Sequence, residues 1–251
     1  MKKFRLRVMF ASVAIASFSI MHLSFAFSTH KKNAVAIELA FAGEKTTEKS
    51  ANISALEVLY DSLELNNLGL SEIAFSYAIK GYESLKKNGK INNLKVLSII
   101  DFTKPSSQKR LFILDVQNFR ILFNTYVAHG QNTGKEFATK FSNKPDSYQS
   151  SLGFYLTEGT YNGKNGFSMQ LEGVENGIND KAGERAIVVH GAPYVSEGFI
   201  RSRGYIGRSH GCPALPEKLN KPIIEKIKNG SCLFIYSNDK NYLQKSRIIN
   251  S

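Results

Sequence analysis

The sequence of 251 residues predicts a mainly β, α+β fold. After Gly89 a series of short β-branched or aromatic runs is interrupted by turn residues, as expected for strands. Twelve of the nineteen glycines lie between Gly153 and Gly211, which indicates tight turns and close backbone approach in that half. Two amphipathic helical patterns precede Gly89. The composition, 42% hydrophobic and 22% charged, is typical of a globular protein rather than a disordered one.

Residues 1–26 are predicted to be a secretory signal peptide. Four basic residues and no acid stand in the first seven positions, and an apolar stretch follows them. Small residues precede a predicted cleavage after Ala26. The apolar stretch approaches the roughly 20 residues that span a bilayer, so an uncleaved anchor is the alternative. We expect an exported protein in either case.

The net charge of +12 favours polyanionic surroundings such as nucleic acid, anionic lipid or an acidic envelope polymer. A solvated basic surface without a specific partner is the alternative. An exported chain seldom meets nucleic acid, and no basic helix or aromatic platform is evident. We therefore expect no nucleic-acid partner, and the sequence indicates no stable protein partner.

A tether at 27–50 and a helical extension at 51–90 precede the β-rich region at 91–251. Ser54 can cap one helix and Ser71 a second one that runs to about Lys87. These helices carry no paired chemical groups, so we assign them to packing. The later predicted elements are strands at 94–102, 110–115, 121–128, 154–157, 167–171, 186–190 and 233–236, and a helix at 216–228.

The candidate chemistry consists of His190 and Cys212. His190 follows a β-branched run, and Cys212 ends the sequence Ser209-His210-Gly211-Cys212. A cysteine in a glycine-flanked turn and a histidine at a strand end can form a thiol nucleophile and its base. Gly211 permits a sharp turn, and backbone N–H groups there could face an oxyanion. The prolines after Cys212 suit a helix N-terminus, which would lower the thiol pKa below about 8.5.

This arrangement resembles the signature of the murein L,D-transpeptidase catalytic domain family, and the similarity extends over most of residues 54–245. The resemblance implies an L,D-transpeptidase-like β-sandwich or barrel at 91–251, with a helix after the cysteine. It implies an enzyme of the bacterial periplasm or cell envelope that acts on peptidoglycan stem peptides through a thioester and needs no cofactor. In that family Cys212 would be the nucleophile, His190 its base and the Gly191 carbonyl the group that orients the imidazole.

One departure from the family pattern concerns the residues after the cysteine. The common pattern has an apolar residue and then Arg or Asn, whereas Pro213-Ala214-Leu215 stands here. The departure fits a divergent subgroup and leaves open which acyl donor is used. The sequence also leaves the acyl acceptor open among a second stem, a lipoprotein lysine, a free D-amino acid and water.

Further candidates surround the pair. His210 could tune the nucleophile, with local packing of the turn as the alternative. His129 precedes a glycine at a strand end and could line the cleft or be structural. Arginines of the loop before Cys212 could clamp carboxylates or form a solvated basic loop. The predicted substrate-binding residues are Arg208, Ser209, His129, Tyr194, Arg201 and Arg203.

Two rival functions remain open. His129, His190, His210 and Cys212 are ligand types of a zinc peptidase, but no His-x-x-x-His type pair is present, so we predict no metal site. A non-catalytic wall-binding module could use the same cleft with an inert thiol. Cys232 is predicted to be a buried strand residue, with a disulfide to Cys212 as the alternative.

Overall fold

The computed structural model of the protein describes residues 58–251. The predicted signal peptide, the tether and the predicted Ser54 cap lie outside the described residues. In chain order the elements are α1 (Glu72–Lys87), β1 (Val96–Asp101), β2 (Leu111–Asp115), β3 (Arg120–Thr125), β4 (Gly153–Gly163), β5 (Gly166–Gly173), β6 (Val188–Ala192), α2 (Glu197–Arg203), β7 (Ala214–Pro216), α3 (Glu217–Ile227), β8 (Cys232–Tyr236) and α4 (Lys240–Lys245). A short helical stretch at 58–62 precedes α1.

Helix α1 begins and ends where the sequence predicts. The Ser71 hydroxyl accepts a hydrogen bond from the Ala74 N–H at 3.3 Å, and Asn88 forms the C-cap. A Cβ atom at Gly81 would lie 2.0 Å from the Phe154 ring, so glycine allows the helix to approach β4 closely. The apolar side of α1 therefore belongs to the same core as the strands. The boundary between the extension and the domain at residue 91 stays a prediction.

The eight strands form one mixed sheet in the order β3-β2-β1-β8-β4-β5-β6-β7. Strand β8 pairs with β1 in parallel and with β4 antiparallel, and β6 pairs with β7 in parallel. Beyond the end of β3, Ala128 forms a bridge with Ala214 of β7. The two edges of the sheet thus approach each other, and the sheet is nearly closed as a barrel. The predicted mainly β, α+β class is confirmed, in its barrel form.

The core is built from the central strands and the helices that cover them. Every residue of β1, β2 and β8 is buried, which requires cover on both faces of the sheet. The rings of Phe154 and Phe234 stack with centroids 4.1 Å apart at the β4–β8 pairing. Burial of each such side chain stabilises the fold by about 1.5–3 kcal/mol. This core holds β6 and β7 in place at the sheet edge.

Several boundaries differ from the predictions. The strand predicted at 186–190 begins at Val188, because Ala186 has a φ of +50° and breaks the extended run. The strand predicted at 121–128 ends at Thr125. The helix predicted at 216–228 is present as α3 (Glu217–Ile227), but strand β7 separates its N-terminus from Cys212. The sequence analysis missed α2, β7 and α4.

Among residues 58–251, no helix combines the length and the apolar character that crossing a membrane requires.

Candidate active site

His190 and Cys212 meet at the β6–β7 edge of the sheet. His190 pairs in parallel register with Ala214, which lies two residues after Cys212. The Val188 N–H donates a hydrogen bond to the Cys212 Sγ at 3.5 Å. The same sulfur lies 3.7 Å from the carbonyl oxygen of Ala186. Val188 and His190 are two residues apart in β6, so the sulfur lies beside the strand that carries the imidazole.

The His190 imidazole is held by the backbone next to it. Its Nδ1 lies 2.9 Å from the Gly191 carbonyl oxygen. A carbonyl only accepts, so this contact assigns the proton to Nδ1 and leaves the Nε2 lone pair as a base. The side chain is buried, and burial lowers the pKa of His190 against the opposing effect of the Gly191 bond. The imidazole is therefore neutral at neutral pH.

The environment of the sulfur differs from the expected one. Burial raises the pKa of the Cys212 thiol, while the Val188 N–H and the charge of Arg185 lower it. We predicted a lowered pKa from an adjacent helix N-terminus, but β7 separates Cys212 from α3, which begins at Glu217. The prediction of a lowered thiol pKa is therefore wrong for the free protein. The Cys212 thiol and the His190 imidazole are therefore both neutral at neutral pH.

The turn that presents Cys212 is held by Ser209. The Ser209 hydroxyl donates to the Cys212 carbonyl at 2.6 Å and accepts from the Gly211 N–H at 3.0 Å. Ser209 is 4% exposed, so the expected contact between its side chain and substrate does not fit. Gly211 has a φ of +124°, and a Cβ atom there would lie 2.8 Å from the Gln149 carbonyl oxygen. Both the backbone angle and this contact require glycine.

The Cys212 backbone N–H is available for a developing oxyanion. The Gly211 N–H is engaged by Ser209, so it is not one of the donors that the sequence suggested. Within residues 58–251 the Cys212 N–H has no hydrogen-bond acceptor. A free N–H on the nucleophile's own residue can stabilise negative charge on an attacked carbonyl oxygen.

His129 is a structural residue rather than part of the cleft surface. Its side chain is 0% exposed, and Arg110 donates to its Nδ1 at 2.7 Å. Its Nε2 lies 3.2 Å from the Gly134 carbonyl oxygen. Burial and the Arg110 charge lower the pKa of His129 to about 3. The predicted substrate contact of His129 is therefore wrong, although its carbonyl accepts from the Ser209 N–H at 2.9 Å and supports the turn.

Arg208, which precedes the turn, is hydrogen-bonded to the neighbouring loop at residues 131–134. One of its terminal nitrogens donates to the carbonyl oxygens of Gln131 and Gly134, at 3.0 and 3.1 Å. The side chain is exposed, and its remaining N–H groups are free to bind a carboxylate. Its position fits the predicted substrate contact, which stays a prediction.

Arg201 and Arg203 lie earlier in the segment between His190 and Cys212, on the short helix α2. Arg201 pairs with Glu197 at 3.8 Å, and both side chains are exposed. The Arg203 guanidinium lies 5.2 Å from the centre of the Phe199 ring. Within residues 58–251 no hydrogen bond or ion pair joins either arginine to the Ser209–Cys212 turn, and their substrate contact stays a prediction.

His210 and Tyr194 flank the turn. The exposed His210 ring packs on Tyr148 with centroids 4.6 Å apart, consistent with local packing. A Cβ atom at Gly207 would lie 2.5 Å from the Tyr194 side chain, so this glycine makes room for the tyrosine. Burial, followed by the charge of Cys212, raises the pKa of Tyr194 to about 12. Tyr194 is therefore a neutral hydroxyl close enough to feel the thiolate.

The departure after the cysteine has a packing reason. Ala214 is fully buried, pairs with His190 and bridges to Ala128. It belongs to a small cluster with Ala192 and Ile206. A long side chain at this position would not fit, so it cannot supply a substrate contact.

A groove of about 470 Å³ lies at the ends of β6 and β7, where Ala192 and Pro216 line it, and neither His190 nor Cys212 is part of its lining. Its lining carries both signs of charge, from Lys109, Lys218, Glu197 and Glu217. Ala192 follows His190 by two residues in β6. A groove with paired charges suits a peptide that carries both amino and carboxyl groups.

Two residues of this region were missed by the sequence analysis. Arg185 lies beside the turn, and Asn220 of α3 packs on Gly191, where a Cβ atom would lie 3.1 Å from it. Neither residue lies in a recognisable motif, so only the fold brings them here.

Both cysteines are free. In the part of the chain that the structure describes, no three His, Cys, Asp or Glu side chains converge as a metal site would require.

Comparison with known proteins gives one family. A family model described as L,D-transpeptidase catalytic domain matches residues 66–236. No curated protein matches the chain.

Solved L,D-transpeptidase structures are among those similar to this chain. An L,D-transpeptidase from Mycobacterium smegmatis is 13% identical, with 57% of this chain and 59% of that one covered and a TM-score of 0.36. An L,D-transpeptidase from Stackebrandtia nassauensis is 14% identical over 82% and 89% of the two chains, with a TM-score of 0.35. The helical cell shape determining protein Pgp2 of Campylobacter jejuni, as a K307A mutant, is 13% identical over 64% and 57%, with a TM-score of 0.38. The family assignment rests on the family model rather than on these superpositions.

Proposed function

Because the chain belongs to the L,D-transpeptidase catalytic domain family, we propose that it is an exported cysteine acyltransferase acting on peptidoglycan stem peptides. The observation that carries the proposal is the Cys212 sulfur placed beside β6, where His190 has its Nδ1 fixed by the Gly191 carbonyl. A thiol next to a neutral, oriented imidazole is the arrangement that nucleophilic catalysis needs.

The proposed reaction has two halves. In the first, His190 Nε2 takes the proton of the Cys212 thiol, and the sulfur attacks the carbonyl of the diamino acid at the third stem position. The C–N bond to the terminal D-alanine breaks, and the proton on His190 passes to the leaving amine. In the second half, an acceptor amine attacks the thioester and the thiol is restored. Water in place of the amine would give a carboxypeptidase.

The groove at the ends of β6 and β7 fits the proposed substrate class. Stem peptides carry amino and carboxyl groups, and the groove presents lysines and glutamates. Arg208 adds a cation at the other side of the turn. We propose that these groups orient the donor so that its scissile carbonyl faces the Cys212 N–H.

The thioester is the direct test. The purified protein is mixed with a stem tetrapeptide, quenched in acid within milliseconds and analysed by mass spectrometry. We expect one tripeptide acyl group per chain on the peptide that contains Cys212, with D-alanine released and no effect of a metal chelator. Absence of any adduct, or D-alanine release that a chelator abolishes, would overturn the proposal in favour of a binding module or a zinc peptidase.

The pH dependence follows from the neutral pair. His190 acts as a base only when it is unprotonated, and its pKa lies below the ordinary value of about 6.5. We therefore expect D-alanine release to stay constant down to about pH 6.5 and to fall only below it. The measurement is kcat/KM between about pH 5 and about pH 9. A fall that is already half complete at about pH 7 would contradict the lowered pKa of His190.

A further inference from the structure

Arg185, in the loop before β6, holds a segment of chain against the turn. Its Nη1 donates to the Ser142 carbonyl at 2.9 Å and to the Ser151 hydroxyl. Its Nη2 donates to the Gln149 carbonyl at 2.5 Å and to the Ser147 hydroxyl at 3.3 Å. All four acceptors are neutral oxygens. The guanidinium therefore binds residues 142–151 through hydrogen bonds that do not neutralise its positive charge.

This cation has no acidic partner among residues 58–251. No carboxylate lies within ion-pair distance of Arg185, and the neighbouring Glu184 contacts Lys181 instead. Burial lowers the pKa of Arg185, and the ionisable groups that oppose this effect are Tyr155 and Cys212. Burial holds the pKa of Tyr155 far above neutrality, so its hydroxyl is uncharged. Cys212 is then the group on which an uncompensated positive charge can act.

The guanidinium lies against the turn that presents the nucleophile. A Cβ atom at Gly211 would lie 3.3 Å from its Nη2, and 2.8 Å from the Gln149 carbonyl that the same nitrogen binds. The effect is reciprocal, because the Arg185 charge in turn lowers the pKa of Cys212. Partial burial makes such an interaction stronger than it would be in water.

We propose that Arg185 is a positioning residue whose charge stabilises the Cys212 thiolate while its hydrogen bonds fix residues 142–151 as one wall of the turn. The inference rests on the proposed function, since it takes Cys212 as the nucleophile. Arg185 exchanges no proton: the thiol proton goes to His190 Nε2, and the negative charge left on sulfur faces the guanidinium. Cation and thiolate then neutralise each other in a partly buried site.

Other titratable groups near the sulfur do not replace it. His190 on β6 is neutral at neutral pH, and Tyr194 after β6 is a neutral hydroxyl. His210 on the turn packs on Tyr148, and Arg208 binds carbonyls of residues 131–134. Of these groups and Arg185, only Arg185 lowers the pKa of Cys212.

The test is the rate of Cys212 alkylation by iodoacetamide from about pH 7 to about pH 11.5, resolved by peptide mass spectrometry. In Arg185→Gln we expect the midpoint to rise by about one pH unit. In Arg185→Lys, which keeps the charge but not the fork of bonds, we expect it near that of the wild type. Arg247→Gln removes an exposed arginine of the C-terminal segment and is the control for net charge.

An unchanged midpoint in Arg185→Gln would overturn the inference, as would equal shifts in the Gln and Lys variants, because charge would then not be the cause. If Arg185→Gln does not fold, the wild type decides. A cation near the sulfur should favour anionic iodoacetate over neutral iodoacetamide more than a free thiol does, at about pH 8.5. A ratio no higher than that of a free thiol overturns the inference. Alkylation needs no peptidoglycan, so these results stand apart from the thioester test of the proposed function.

Discussion

Cys212→Ala is expected to abolish the acyl-enzyme and to lower D-alanine release by more than about 10³-fold. In the proposed reaction the sulfur is the atom that forms the thioester, and Ala has nothing to replace it. The fold should persist, because the turn is held by Ser209 through backbone contacts rather than by the thiol. Rapid-quench mass spectrometry and D-alanine release are the measurements, with the midpoint of thermal unfolding as the check on folding.

The matched control is Cys232→Ala. Cys232 is the other cysteine of the chain, is 0% exposed in β8, and burial raises its pKa far above neutrality. Its loss should lower stability by about 1–2 kcal/mol through a small cavity but leave the adduct at one per chain. An adduct that persists in Cys212→Ala, or disappears in Cys232→Ala, would show that the nucleophile has been assigned to the wrong cysteine.

The sequence predicts those elements whose own residues decide them. Helix α1 carries its cap at Ser71 and its stop at Asn88, and the buried strands are continuous β-branched or aromatic runs. The short elements α2, β7 and α4 were missed because three to seven residues cannot form stable structure without tertiary contacts. Strand β7 exists through its pairing with β6, which no local pattern announces.

The order of the strands could not be predicted from the sequence either. The last strand, β8, lies between β1 and β4, so segments more than 100 residues apart in the chain are hydrogen-bonded neighbours. Closure through Ala128 and Ala214 also joins distant segments. Patterns of two or four residues carry no information on such pairings.

Two His-Gly dipeptides lie in different environments that their sequence does not distinguish. His129-Gly130 and His190-Gly191 both follow apolar runs and look alike in sequence. The fold buries His129 completely under Arg110 but places His190 on the strand whose Val188 N–H contacts the sulfur of Cys212. The resemblance to a family identified His190 as the candidate base. The contact between the buried Arg110 and His129 is visible only in the three-dimensional structure.

His190→Ala is expected to lower the rate of thioester formation by about 10²–10⁴-fold, the usual contribution of a positioned base. The neutral thiol of Cys212 has a raised pKa and therefore little thiolate at pH 7, so it depends on a base to remove its proton. His190 Nε2 has a free lone pair because the Gly191 carbonyl holds the proton on Nδ1. Single-turnover acylation with a stem tetrapeptide is the measurement.

His210→Ala is the control variant, because it removes a histidine of the turn that we do not expect to act as the base. The His210 ring packs on Tyr148 at the surface, so its loss should cost much less than that of His190. Alkylation of Cys212 at about pH 10 should proceed as fast in His190→Ala as in the wild type, since thiolate forms at that pH without a base, and this shows that the site is intact. If His210→Ala were the inactive variant and His190→Ala still formed the thioester, the two histidines would have the opposite roles, and the fixed Nδ1 tautomer of His190 would have no part in the reaction.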